Sequence, residues 1–369
     1  MSPFERTSEQ LLFHDSFHKL CQSHYEFSKR AKRIDQKQYW DQDAWQALSE
    51  MGLFGLCIPE EYGGLGRSMA DCACVMDTLG HHLVLEPVIP CLLGGMAIHH
   101  LATESLKKHL LPDMASGSCR LVCGFRQPDA LSLAHASNLK AKKTAKGWEV
   151  SGRCDQIWGA THATHLLLEA LDEQGQRRAF VLEAHQVSRQ DYVCIDDSCM
   201  ADVVCKSVKV LPEHSFVLED SLYHSLYPRA VCLLAAEAVG MATALNQKTR
   251  DYTKQREQFG KPISKFQVLQ HRMVEMFLAE EQIRSMGLGL SCMLDHAQPP
   301  HPDELMIFSQ QVKLCINQHL QMIAETATQL HGGMGVSDEL DIAHYLRRAT
   351  CIRVLFGDHE SCLAAMLSY

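Results

Sequence analysis

Two short stretches hold residue types suited to gripping an anion. The first runs Arg256-Glu-Gln-Phe259-Gly260 and continues to Phe266-Gln267. The second is Gln329-Leu-His-Gly332-Gly333. A guanidinium presents a planar fork of donors that matches phosphate or carboxylate oxygens. Glycines let backbone N–H groups come close to an anion. Taken singly, Arg256 reads equally well as a solvated helix residue, and the glycine pair as a helix end. A third stretch, Arg353-Val-Leu-Phe-Gly-Asp-His-Glu-Ser-Cys362, carries the carboxylates Asp358 and Glu360, the kind of group that serves as a general base.

The bulk properties narrow the class of protein. A chain of 369 residues implies two or three packed subdomains. With 46% apolar and 21% charged residues it reads as globular. The net charge is −9, and the one basic run is KRAKR at 29–33, so neither nucleic acid nor an anionic membrane is an expected partner. No apolar run approaches 18 residues, and the first residues lack a signal-peptide layout. The sixteen cysteines then read as reduced thiols of a cytoplasmic protein. No C-x-x-C pair occurs, so no zinc site is expected. The histidine doublets 81–82 and 99–100 read as surface or helix-end residues.

The elements that must position the anion-binding residues follow from periodicity. Residues 7–118 read as helical, opened by a capping box at Thr7 and Gln10. Ile58-Pro-Glu-Glu-Tyr-Gly-Gly-Leu-Gly66 reads as a loop between helices. Residues 119–215 change to short strands, with a hairpin expected between Leu166–Leu168 and Phe180–Leu182. Residues 216–369 return to helix. Leu234, Ala238, Met241, Leu245 and Tyr252 form one apolar stripe, and Leu269, Met273, Phe277, Ile283 and Leu290 another. Four long helices on short connections predict an antiparallel bundle, giving an α+β chain in the order α, β, α.

Three motifs in this order, IPEEYGGLG (58–66), YTKQREQFGKPISKFQVLQHRMVEM (252–276) and QLHGGMGVSDELDIAHYLRR (329–348), resemble the acyl-CoA dehydrogenase family over essentially the whole chain. The resemblance implies an N-terminal helical domain, a middle β domain and a C-terminal four-helix bundle, with FAD at a subunit interface. It implies that Arg256, Phe259, Gln267, Gln329, Gly332 and Gly333 bind the FAD of a neighbouring subunit. It also implies an acyl-CoA substrate and an electron-transfer flavoprotein or similar acceptor.

The sequence departs from the family where chemistry is expected. In the family a carboxylate removes the α-proton of the thioester while flavin takes the β-hydride. The base position, registered on Gly357, is Phe356, which cannot accept a proton. The alternative family position on the first bundle helix is Ala230, and Glu237 lies about two turns further on. In the β domain, the positions that hold a chain's own flavin ring carry Cys154, Gln156 and Trp158, and the loop 125–137 lacks the family motif. Trp158 reads as a core residue. The chain therefore resembles the small, catalytically incomplete subunit of heteromeric bacterial members of the family, such as those of pimeloyl-CoA or steroid side-chain breakdown, paired with a catalytic paralogue. Two other readings stay open: a homomeric enzyme with its base relocated to Asp358 or Glu360, and a scaffold that binds no flavin.

Overall fold

The computed structural model describes residues 6–124, 138–298 and 300–367. Six helices come first: α1 (Ser8–His24), α2 (Phe27–Asp35), α3 (Gln42–Glu50), α4 (Met69–His81), α5 (Val88–Leu101) and α6 (Glu104–Ala115). Eight strands follow: β1 (Leu121–Gly124), β2 (Lys140–Thr144), β3 (Gly147–Trp158), β4 (His165–Asp172), β5 (Arg177–Glu183), β6 (Ser188–Val193), β7 (Cys199–Val210) and β8 (Ser215–Val217). Then come α7 (Asp220–Gln255), a small ladder of β9 (Glu257–Gln258) and β10 (Lys261–Pro262), α8 (Gln267–Leu294), α9 (Pro302–His331), the single turn α10 (Gly333–Val336), α11 (Ile342–Ile352) and α12 (His359–Leu367). The α, β, α order and the C-terminal helices match the fold read from the sequence.

These elements form two compact units. One gathers Tyr39–Ser68 and Leu85–Ala230. Its sheet has the order β6-β7-β3-β2-β4-β5-β8, with β1 alongside β4. The expected hairpin is β4–β5, with Leu166 opposite Leu182 and Leu168 opposite Phe180. An aromatic ladder ties helix to sheet within this unit: Phe54 stacks on Trp45, Trp45 lies against Trp40, and Trp40 stacks on His162. Arg120 lies over Trp40 at 5.4 Å and donates Nε–H to the His162 carbonyl.

The other unit gathers Met1–Gln38, Met69–Val84 and Val231–Tyr369. The capping box forms as expected: Thr7 Oγ1 accepts from Gln10 N–H, and Gln10 Oε1 accepts from Thr7 N–H. The start of α4 is capped from far along the chain, where Asp295 accepts Met69 N–H and Ala70 N–H, each at 2.8 Å. Helices α4 and α7 touch backbone to backbone. A Cβ on Gly240 would lie 1.8 Å from the Asp77 carbonyl oxygen, and one on Gly80 2.1 Å from that of Glu237. Helix α7 is long and apolar enough to cross a membrane by composition, but 89% of its apolar window is buried inside the protein.

One expected stripe fails. In α8 only Ile283 and Leu290 of the five residues are buried, and Phe277 is 54% exposed. Between Gln267 and Leu278, Met276 is the one buried side chain. Its apolar residues Val268, Val274, Phe277 and Leu278 point to several sides, so periodicity misassigned the buried face.

The doublet His81-His82 stands at the end of α4, as read, but is half-buried in a cluster of imidazoles. His82 Nε2 lies 2.9 Å from His18 Nδ1, His14 stacks on His18, and His81 packs against both His18 and His82. Burial, reinforced by neighbouring imidazoles and Lys248, lowers His81 to about 4 and His82 to about 3; Asp341 opposes the shift at His81. Both are neutral at pH 7 in the folded chain, whereas the unfolded chain binds these protons near pH 6.5. Their contribution to stability is therefore complete above pH 6.5 and is lost progressively as pH falls towards 3. Urea midpoints measured at pH 7, 5.5 and 4.5 should fall steadily, and His82→Gln should flatten that fall. An unchanged slope in the variant would contradict the assignment.

Candidate functional site

Helix α7 ends on Gln255, and Arg256 N–H still donates to the Tyr252 carbonyl at 2.8 Å. The chain then makes a two-residue hairpin between β9 and β10, with Phe259 and Gly260 at its tip at φ +55° and +78°. Two successive positive φ values suit the twist of a tight hairpin. They leave the Phe259 ring 91% exposed, in edge contact with Phe266. Gln267 opens α8, whose N-terminal N–H groups favour an anion. The Arg256 guanidinium is exposed and makes no hydrogen bond among the described residues.

The second motif ends α9. Gly332 adopts φ +60° and ψ −141°, a region essentially restricted to glycine. A Cβ on Gly332 or Gly333 would meet nothing within 4 Å, so these backbone groups face open space. Gly335 has a different duty: a Cβ there would lie 2.5 Å from the Thr328 carbonyl oxygen. Tyr252 joins the two motifs. Its ring stacks on His331 at 4.3 Å, and its Oη donates to the His331 carbonyl at 3.3 Å. Burial holds His331 below the usual histidine range, and its Nδ1 faces the Ala327 carbonyl at 2.8 Å, so a neutral ring bearing its proton there is the tautomer that fits.

Tyr252 and His331 thus link the segments carrying Arg256, Phe259, Gln267, Gln329, Gly332 and Gly333, and all six residues are exposed. A guanidinium with no hydrogen bond among the described residues, two amides and open glycine backbone are donors of the kind that suit a dinucleotide pyrophosphate. FAD is such a group.

The carboxylates near the base register are otherwise placed. Phe356 stands in the turn between α11 and α12 at φ +57°, followed by Gly357 at +113°. Asp358 caps α12: its Oδ1 accepts Ser361 N–H at 2.8 Å and Ser361 Oγ–H at 2.7 Å, which holds its carboxyl below the usual range. Glu360 is exposed to solvent. Glu237 is buried against Arg348, whose Nε and Nη2 donate to its two oxygens at 2.6 and 3.1 Å. In the other unit, Ala230 is buried. Cys154 and Trp158 are buried there too, while Gln156 sits at φ +58° with its N–H on Asp202 Oδ1. The expected loop 125–137 lies outside the described residues.

Sequence reading missed what holds the Phe356 turn. Lys313 of α9 is fully buried, and its Nζ donates to Asn317 Oδ1, to the Ile352 carbonyl at 3.1 Å and to the Arg353 carbonyl at 3.5 Å. Asn317 Nδ2–H donates in turn to the Gly357 carbonyl at 3.3 Å. Three donors meet three acceptors at the negative end of α11. A lysine with Asn four residues on is a weak sequence signal, because the carbonyls it serves lie about forty residues away. Burial lowers Lys313 to about 7, against about 10.5 when unfolded. Between these values the unfolded chain holds one proton more, so this residue makes stability rise with pH. Lys313→Met should remove that rise and strand the three acceptors, at a cost of about 1–3 kcal/mol. Hydrogen exchange should quicken selectively at residues 353–358; unchanged exchange there would refute the clamp.

Comparison with known proteins identifies the family and the fold. Profiles described as "Acyl-CoA dehydrogenase, N-terminal domain" and "Acyl-CoA dehydrogenase, C-terminal domain" match residues 7–118 and 229–367. The probable acyl-CoA dehydrogenase YngJ of Bacillus subtilis is 26% identical over 375 residues, covering 97% of this chain and 96% of its own. The solved structure of a variant of the "Tcur3481-Tcur3483 steroid ACAD" superposes with a TM-score of 0.85 at 23% identity, covering 98% of this chain and 97% of that one. A glutaryl-CoA dehydrogenase from Mycobacterium smegmatis in complex with FADH2 gives 0.87 at 17% identity, over 98% and 94% of the two chains. The chain belongs to the acyl-CoA dehydrogenase family, the flavin-dependent oxidoreductases of acyl-CoA thioesters.

Proposed function

We propose that this chain is the auxiliary subunit of a heteromeric, cytoplasmic acyl-CoA dehydrogenase. In this reading it lends the adenosine and pyrophosphate half of an FAD site to a catalytic paralogue. The observation that supports it is the exposure of all six residues that the resemblance assigns to FAD, set against Phe356 at the position it assigns to the base, with the adjacent Asp358 committed to a helix cap. FAD, when bound, supplies the hydride acceptor. Arg256 holds phosphate charge, the Gly332-Gly333 backbone lets phosphate oxygens approach, and Phe259 packs on the cofactor or the neighbouring subunit. The carboxylate that takes the α-proton then comes from the partner chain.

The exposed first half of α8 supports a partner of large apolar surface. Its side chains Val268, Val274, Phe277 and Leu278 are each more than half exposed, which suits a helix finished by another subunit. The relative described as "Tcur3481-Tcur3483 steroid ACAD" is named for two proteins, which favours a heteromer and suggests a bulky acyl group. The homomeric reading is weaker because Asp358, its leading base, is spent on capping α12. The scaffold reading leaves the open cradle without a purpose.

The test is steady-state acyl-CoA oxidation by the complex with its catalytic paralogue, using an artificial electron acceptor. Phe356→Ala should stay within about tenfold of the parent, and Glu360→Gln should do the same, since neither supplies the base. A hundredfold loss in Glu360→Gln with flavin retained would return the base to this chain. Arg256→Ala should weaken FAD binding by roughly ten- to a hundredfold, the worth of one charge-assisted contact. Unaltered affinity would remove Arg256 from the cradle.

A further inference from the structure

The unit that carries the cradle also holds a partly open cavity of about 370 Å³, and neither the cradle residues nor Phe356 line it. It lies among the start of α1, α4, α7 and α8, and its lining residue Gly287 is about 30 Å along α8 from Gln267. The face of α7 that lines it carries Ala235 and Ala236, whereas Glu237 turns away to Arg348. Protein interiors leave few voids larger than a water molecule. A cavity of this size, walled mostly by apolar groups with a few polar ones at one end, has the build of a small-molecule site.

Its walls are made small from three helices at once. Ala70 and Ala73 come from α4, Ala235 and Ala236 from α7, and Gly287 from α8. Such walls accept a slim aliphatic chain and offer no aromatic platform. The polar end holds Arg6, Gln10, Asp77 and Arg284. Most of this polarity is already matched. Gln10 donates to Asp71 Oδ1 at 2.9 Å. Arg284 is engaged by Glu280 at 2.6 Å and Glu281 at 3.2 Å, with Asp77 at 3.7 Å.

Arg6 is different. One of its nitrogens pairs with Asp77, and its other donors bond nothing among the described residues. Its side chain is 31% exposed, at the boundary between cavity and solvent. Burial raises the Asp77 carboxyl above its ordinary range, and Arg6 and Arg284 oppose that shift. The spare groups at this end are therefore guanidinium donors, which call for an acceptor-only headgroup.

We infer that the cavity is a binding site for a short aliphatic carboxylate, its chain among the small residues of α4, α7 and α8 and its headgroup on Arg6. The inference does not depend on the auxiliary-subunit reading, because every residue it uses lies outside the flavin cradle and the Phe356 turn.

The test is ligand-induced thermal stabilisation with titration calorimetry, using hexanoate, hexanol and hexylamine as probes. Hexanoate should raise the melting temperature saturably with one site per chain. Hexanol should bind at least tenfold more weakly, and hexylamine should give no shift. Ala73→Leu, at a partly exposed wall position, should fill the cavity and abolish the hexanoate response. Arg6→Gln should leave the cavity intact but weaken hexanoate by about tenfold or more. No saturable response to hexanoate, or an equal response to all three probes, would overturn the proposal. So would a hexanoate response that survives both substitutions unchanged.

Discussion

A lysine amino group with no access to water sets where the chain can go between α11 and α12. Lys313 draws the last carbonyls of α11 towards α9, and Asn317 holds the Gly357 carbonyl beside them. A lysine is almost never fully buried without compensation, and here backbone and amide oxygens provide it in place of a carboxylate. The turn is fixed from behind, so the identity of residue 356 decides what it presents. The turn is built, and its side chain is a phenyl ring. Asp358 and Glu237 are engaged elsewhere, the first as a helix cap and the second by a buried guanidinium.

The same helix that carries the clamp ends in the cradle. Helix α9 runs from Pro302 to His331, and Gly332 follows it in a conformation that only glycine takes readily. Stacking of Tyr252 on His331 fixes the hairpin tip and the glycine turn relative to each other. Their functional groups nevertheless point to solvent. A phenylalanine 91% exposed and an α8 segment with one buried side chain in twelve residues leave apolar surface in water, beside an arginine free to meet an anion. Each is explained at once if a second subunit covers them.

Local signals were legible in the sequence. The capping box at Thr7, the β4–β5 hairpin and the glycine turn after α9 each depend on residues close together in the chain. The buried face of α8 was not legible, because its apolar residues surround the helix and period alone could not choose a side. The clamp at Lys313, the Glu237–Arg348 pair and the histidine cluster joining His14 and His18 to His81 and His82 were also hidden. Their partners are separated by about 40, 111 and 64 residues, and none forms a motif. Glycines 80 and 240 illustrate the same limit. Each looks ordinary in sequence, yet each lets the backbones of α4 and α7 touch.

The proposed function is a division of labour in which this chain serves a neighbour's flavin and holds none of its own. The most direct measurement is the flavin-to-protein ratio, by absorbance, of the chain purified alone and of its complex with the catalytic paralogue. The account predicts little flavin in the isolated chain and about one flavin per pair of subunits in the complex. A full complement of one flavin per chain in the isolated protein would contradict it.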